Sequence, residues 1–392
     1  MAEPIKEGVM SNRENTEPAL MKVRLRQHHL QYLLGRAEGA VGRMHPYFLL
    51  CAGGSQISCG ATDLNISIVS EIELQDGEQI EIGGTVCVPA HKISALIKAL
   101  PDTFIDLISL DGLRLQVECN DYAGVIPCVD PAEHFPCITL PDGAADFYCA
   151  GDLIPELHAA CAHALDKRGK SSLLGGLHLR AEGDVLIAAG TDGSRMSLAG
   201  KRDDAGFGDS LGGGITIPAR ALTELKKLTA GATGIYLREN DLTFLQRGIT
   251  LSVRLLEGGY PNYRHVIPTG YPYCCVVAAE KFAAIVERVN ILSDADSVLI
   301  DIKPGDDASG DILITTENEA GRSMDLVPAE VGGVQMQIRV TPSYLVESLR
   351  SLAKTSEDVI IKYKDAESAL VMLPCDHSGW DERVEVFMPR RG

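Results

Sequence analysis

Positive charge is in short supply in this chain. Its 392 residues carry 36 Lys and Arg against 54 Asp and Glu, a formal net charge of −18. That balance argues against a simple nucleic-acid binder, which is usually basic. Long apolar runs are missing too, with no stretch of the roughly eighteen residues that a membrane-spanning helix needs. The opening segment, MAEPIKEGVMSNRENTEPAL, is polar and lacks the apolar core of a secretory signal. Patterned sequence starts at Met21 (MKVRLRQ), and residues 1–20 read as a loose, disordered extension. The eleven cysteines lack metal-ligand spacing; the nearest approaches, Cys128/Cys137 and Cys274-Cys275, fit no zinc pattern. Reduced thiols, no metal and no cofactor are therefore expected.

Catalytic signatures are missing as well. RGKSS at 168–172 invites comparison with a phosphate-binding loop, but the first glycine of that motif falls on Ala164. The closeness of Cys161 to His163 in sequence carries little meaning. Asp192 has a counterpart in Asp63 and another in Glu317, which suggests a repeated turn rather than a catalytic group. The sequence does not read as an enzyme.

What is present is repetition. A β-like run ending in proline, followed by an amphipathic helix, occurs as TVCVPAHKISALIKAL at Pro89, GITIPARALTELKKL at Pro218 and IRVTPSYLVESLRSLAK at Pro342. A second marker keeps the same register, in GATDLNISI at Thr62, AAGTDGSRMSLAG at Thr191 and ITTENEAGRSMDL at Thr315. About 125 residues per copy is an ordinary domain size. Each copy opens with a strand and a helix, continues with alternating apolar strands, and closes with a strand pair. This predicts three α+β units, each with two helices and antiparallel sheet. Joins fall at PDGAAD and PTGYP, which gives an extension at 1–20 and domains at 21–143, 144–270 and 271–392.

The second helix of each copy carries an apolar stripe: Ile93, Leu96, Ile97 and Leu100, then Leu222, Leu225 and Leu228, then Leu345, Leu349 and Leu352. Its other face is basic. Windows 90–100, 219–229 and 342–354 hold seven Lys or Arg (Lys92, Lys98, Arg220, Lys226, Lys227, Arg350, Lys354) against Glu224 and Glu347. The first helix of the second copy does not follow suit. A repeated unit that gathers its cations on one helix makes a surface that holds DNA weakly and without sequence preference.

The order of ATDL at 61–64, TVCVPAHK at 85–92, EHFP at 133–136, TDGSRM at 191–196, ITIPAR at 215–220, LLEGGYPNYRHVIP at 255–268 and the terminal EVFMPRR resembles the bacterial sliding clamps, β subunits of the replicative DNA polymerase. The resemblance covers residues 21–392. It implies a clamp fold that forms a head-to-tail dimeric ring around duplex DNA. It also implies a non-catalytic processivity factor, cytoplasmic and nucleoid-associated, that tethers polymerase, clamp loader and repair proteins. A closed heterologous interface gives a ring instead of a filament and leaves no exposed strand edges. The alternative is a clamp-derived peptide-binding scaffold that does not encircle DNA.

Carried over by position, the family's groove for linear peptides falls on Leu174, Thr191, Gly193, Arg195, Met196, Pro261, His265, Val266, Thr341, Tyr344, Val386, Met388, Pro389 and Arg390. DNA contact falls on Arg43 and on Lys167, Arg168 and Lys170 of the loop at 166–171. The subunit interface falls on Ile291 and Leu292, facing Tyr122 or Val125. Three departures stand out. His265 replaces a common arginine, which makes the groove's charge depend on pH. The chain ends Arg390-Arg391-Gly392 where apolar residues are common, and the segment after Arg43 is short.

Overall fold

The computed structural model describes residues 21–390 apart from 112, 170, 203–210, 228–230, 292–294 and 320. The extension at 1–20, Leu228, Lys170 and Leu292 thus lie outside the described residues. Within them are seven α-helices: α1 (Gln27–Ala37), α2 (Ala90–Ala99), α3 (Pro131–His134), α4 (Leu153–Cys161), α5 (Ala219–Leu225), α6 (Ala279–Ile291) and α7 (Pro342–Ala353). Pro89 and Pro218 end strands immediately before α2 and α5, and Pro342 is the first residue of α7. Proline suits these positions because the first turn of a helix needs no N–H donor from it. Behind each proline the stripe goes inward: Ile93 and Ile97, Leu222 and Leu225, and Leu345, Leu349 and Leu352 are all buried. Leu96 and Leu100 are only half-buried, so the first stripe is narrower than its spacing suggests.

The chain forms two compact units, one made of residues up to Gly151 together with Thr223–Arg254, the other of Asp152–Leu222 and Leu255–Gly392. Among the described residues every strand pairing in either unit is antiparallel. The first unit holds a five-stranded sheet in the order Gln79–Ile82, Lys22–Arg26, Phe104–Ser109, Arg114–Cys119, Tyr122–Pro127. It also holds an eight-stranded sheet: Phe147–Ala150, Ala232–Leu237, Asp241–Gln246, Ile249–Arg254, Ile66–Glu73, Gln56–Thr62, Tyr47–Gly53, Gly84–Pro89. The second unit holds one twelve-stranded sheet. Its order is Ile215–Pro218, Gly176–Glu182, Val185–Thr191, Arg195–Arg202, Glu382–Phe387, Leu370–Pro374, Asp358–Tyr363, Tyr273–Ala278, Gly321–Gly332, Ser309–Asn318, Val298–Pro304, Met336–Val340.

The same junction occurs once in each unit. In the first, Ile66–Glu73 pairs with Ile249–Arg254, Ser67 opposite Ser252. In the second, Arg195–Arg202 pairs with Glu382–Phe387, Met196 opposite Val386. Either way a strand of one sequence copy joins the closing strand of the next. The chemistry under the two junctions differs. Ile249 and Leu251 are buried in the first, whereas their places in the second are taken by Arg383 and Glu385, each 1% exposed at the side chain. Arg383 Nη1 donates to Glu385 Oε1 at 2.8 Å, and Nη2 donates to the Ala160 carbonyl and the Ser351 hydroxyl. His163 Nε2 lies 2.9 Å from Glu385 Oε2. Burial pushes the Glu385 carboxyl upward, but His163 and Arg383 outweigh it and hold it below the usual carboxylate range. The chain's one tryptophan, Trp380, sits just before this strand with Lys201 Nζ 4.6 Å from its ring centre.

Candidate partner groove, DNA-facing residues and strand edges

The residues expected to line the groove lie in the second unit, on a tight turn, a helix and the end of the chain. Asp192 accepts hydrogen bonds from the backbone N–H groups of Ser194 and Arg195 at 2.9 and 3.1 Å. The turn needs a left-handed residue, supplied by Gly193 at φ +85°. Thr191 Oγ1 donates to the Arg195 carbonyl at 2.6 Å. So held, the Arg195 side chain is buried, with Nη1 2.5 Å from Glu347 Oε2, Nε 3.2 Å from Asp192 Oδ2 and the guanidinium 4.3 Å over the Tyr344 ring. Thr341 caps α7, and Tyr344 and Glu347 follow it at intervals of three, on neighbouring positions of the helix surface.

Past Phe387 the backbone is pinned twice. Met388 N–H donates to the Ser194 carbonyl at 3.1 Å, and Arg390 N–H donates to the Arg339 carbonyl at 2.8 Å. Arg390 Nε also donates to Thr341 Oγ1 at 3.1 Å. Met388 is left exposed between the two anchors, with Pro389 beside it. Met196 and Val386 face each other as buried floor in one apolar cluster with Tyr263.

The loop carrying Pro261, His265 and Val266 leans on the same cluster, and all three are exposed. Tyr260 donates to the Ala189 carbonyl at 3.3 Å and stacks on His178, ring centres 4.4 Å apart and 6° from parallel. Burial pulls the His178 imidazole down to about 4, so it is neutral in this stack at neutral pH. Arg264 clamps the loop to Glu182 and Glu382, at 2.6 and 2.5 Å. Leu174 is half-buried in the turn Leu173–Gly175, where its carbonyl accepts from Asp166 N–H at 2.9 Å.

Of the expected DNA-facing residues, Lys167 and Arg168 are exposed on a loop shaped by buried Asp166, whose carboxylate accepts from the N–H groups of Arg168 and Ser171. Arg43 is exposed in the other unit. The basic helices are less positive than their sequence windows suggest. Lys98 meets Glu38 at 3.6 Å, Lys227 meets Glu224 at 2.5 Å and Arg350 meets Glu287 at 2.7 Å. Lys92, Lys226 and Lys354 are exposed and have no ion pair among the described residues.

Tyr122 and Val125 stand exposed on the edge strand of the five-stranded sheet, Val125 at 52%. Ile291, at the end of α6, is 74% exposed. One turn earlier Arg288 Nε donates to Asp325 Oδ2 at 2.8 Å, which ties this helix end to the strand bearing Met324, itself 53% exposed. Sequence reasoning missed Met324, although the hairpin marker contains its signal. Ser67, Met196 and Met324 lie opposite Thr62, Thr191 and Thr315. It also missed Glu347, one turn past Tyr344, and the His178 stack, which no local spacing announces. Cys161 is a buried thiol pushed up to about 12 by desolvation, and His163 is engaged with Glu385.

Residues 151–262 match the sequence model of the DNA polymerase III β subunit, central domain, and residues 46–141 match that of its N-terminal domain. The two matches together take in more than half of the chain, and the chain belongs to the bacterial DNA polymerase III β-subunit family, the β sliding clamps. The beta sliding clamp of Synechococcus elongatus is 26% identical over 370 residues, covering 90% of this chain and 96% of that protein. That of Pseudomonas aeruginosa is 25% identical over 347 residues, covering 88% and 91%. The DNA polymerase sliding clamp of Bacillus subtilis superposes with a TM-score of 0.86 at 20% identity, covering 95% of this chain and 99% of that one. It shares the fold.

Proposed function

We propose that this chain is a DNA sliding clamp: a non-catalytic processivity factor of bacterial replication that encircles duplex DNA as a head-to-tail homodimer. The observation that carries the ring is the twice-used junction. Each joins a strand of the Thr62 or Thr191 hairpin to a closing strand, and one strand of each kind remains without such a neighbour. Tyr122 follows Cys119 across a two-residue turn as Ile249 follows Gln246, so Val125 holds the place of Ser252. Met324 holds the place of Ser67 and Met196. A third junction of the same register therefore pairs Met324 with Val125 of a second copy, with Ile291 and Leu292 beside it and Tyr122 at its end. Gly321–Gly332 pairs with Tyr273–Ala278 only over Glu330–Gly332, which leaves the stretch around Met324 open on that side. Exposed apolar side chains there and on the Tyr122–Pro127 edge strand support the pairing, since open edges otherwise invite uncontrolled association.

In this reading the domains are 21–143, 144–270 and 271–392, and their helices face the duplex. Arg43, Lys167, Arg168 and Lys170 meet phosphates. Half-neutralised basic helices suit the task, because weak phosphate contacts permit movement along DNA while topology prevents escape. The groove around Arg195, Tyr344 and Met388 takes linear peptides of polymerase, clamp-loader and repair proteins at about micromolar affinity. The protein works in the cytoplasm, on the nucleoid.

Negative-stain class averages of the purified protein test the ring. Six-lobed particles with an open hole are expected. Compact three-lobed monomers at micromolar concentration would overturn the ring and leave a peptide-binding scaffold.

A further inference from the structure

At the end of the groove formed by Met388–Arg390 and the start of α7, two arginines have no ion pair among the described residues. Arg390 and Arg339 are joined backbone to backbone, N–H to carbonyl at 2.8 Å, and both side chains are exposed. Arg390 has only a neutral side-chain partner, the Thr341 hydroxyl, and neither arginine has an ion pair among the described residues. The contrast within the groove is sharp. Arg195, a few residues along the same wall, is balanced by Asp192 and Glu347 and covered by Tyr344. Two exposed guanidinium groups without an ion pair among the described residues give this patch a sign opposite to the chain's net −18. Met388, exposed next to them, supplies the apolar contact.

We propose that Arg339 and Arg390 are specificity determinants that select partner peptides with acidic residues flanking their apolar anchors. This rests on the groove being the peptide site. Guanidinium forks pair well with carboxylates, and an exposed pair is modest in strength, so two of them should give about three- to tenfold selectivity. Because rim charges act largely on encounter, that selectivity should fade as salt rises.

The test uses three fluorescein-labelled peptides that share one polar residue and bulky apolar anchors and are flanked at both ends by aspartates, asparagines or lysines. Anisotropy titrations on the full-length protein at low and high salt are expected to rank aspartate tightest and lysine weakest, with the spread narrowing in high salt. In the Arg339→Glu/Arg390→Glu variant the order should invert, and tight binding of the lysine peptide there shows that the groove is still formed. Equal binding of all three peptides to the unaltered protein would overturn the selectivity while leaving the groove reading intact. Binding of none would overturn both.

Discussion

Arg383 and Glu385 place a full ion pair in the core of the second unit, where single truncations are costly. Arg383→Leu leaves the buried Glu385 carboxylate without the one guanidinium paired with it, and should lower stability by about 3–5 kcal/mol in urea unfolding followed by circular dichroism. The double change Arg383→Leu/Glu385→Leu copies the apolar chemistry of Ile249 and Leu251 and should recover most of that loss. A double variant as unstable as the single one would mean that packing, not charge, decides the site. His178 adds acid sensitivity. Its folded value of about 4 lies below the ordinary imidazole value of 6.5, so as pH falls the unfolded chain takes up the proton first. Its contribution is complete above pH 6.5 and declines toward pH 4, by at most about 3 kcal/mol. His178→Phe, which keeps a ring against Tyr260, should flatten that part of the stability–pH curve.

At the scale of strands and helices, the shared register makes a direct prediction. Val125→Cys/Met324→Cys should yield disulfide-linked dimers on a non-reducing gel, while either single change should not. Ile291→Asp should shift sedimentation toward monomer. A double variant that forms no cross-link, or a dimer that survives Ile291→Asp, would contradict the proposed pairing. The helices were legible because proline and a stripe at helical spacing act locally: Pro342 with Leu345, Leu349 and Leu352 needs no distant partner to read as an amphipathic helix. Charge was not legible in the same way. The windows counted Lys98 and Arg350 as free, but Glu38 and Glu287 approach them only through the packing of neighbouring segments. Arg195 and Met196 could be placed by motif, whereas Glu347 became part of the site only through the contact between a turn and a helix far apart in sequence. The hairpin markers were visible as repeats, but their pairing with closing strands was not, and nothing local distinguishes the ionic junction from the apolar one.

For the whole molecule, attachment should depend on topology more than on affinity. Direct binding to a short duplex is expected to be weak and to vanish as salt rises, because Lys98, Lys227 and Arg350 are already paired with carboxylates. After loading onto nicked circular DNA, retention through gel filtration should persist in moderate salt and collapse when the circle is cut once. Equal loss from circles and linear DNA would contradict encirclement.

Trp380 gives the molecule a built-in reporter. It is the sole tryptophan, and its ring lies against Lys201 with the Arg383 guanidinium 5.7 Å away. Emission excited at the red edge therefore samples the strand seam of the second unit alone, while the far-ultraviolet signal averages every sheet. Cation-induced quenching should be relieved once that seam opens. A fluorescence transition that precedes the far-ultraviolet one would identify it as the place where the clamp first comes apart.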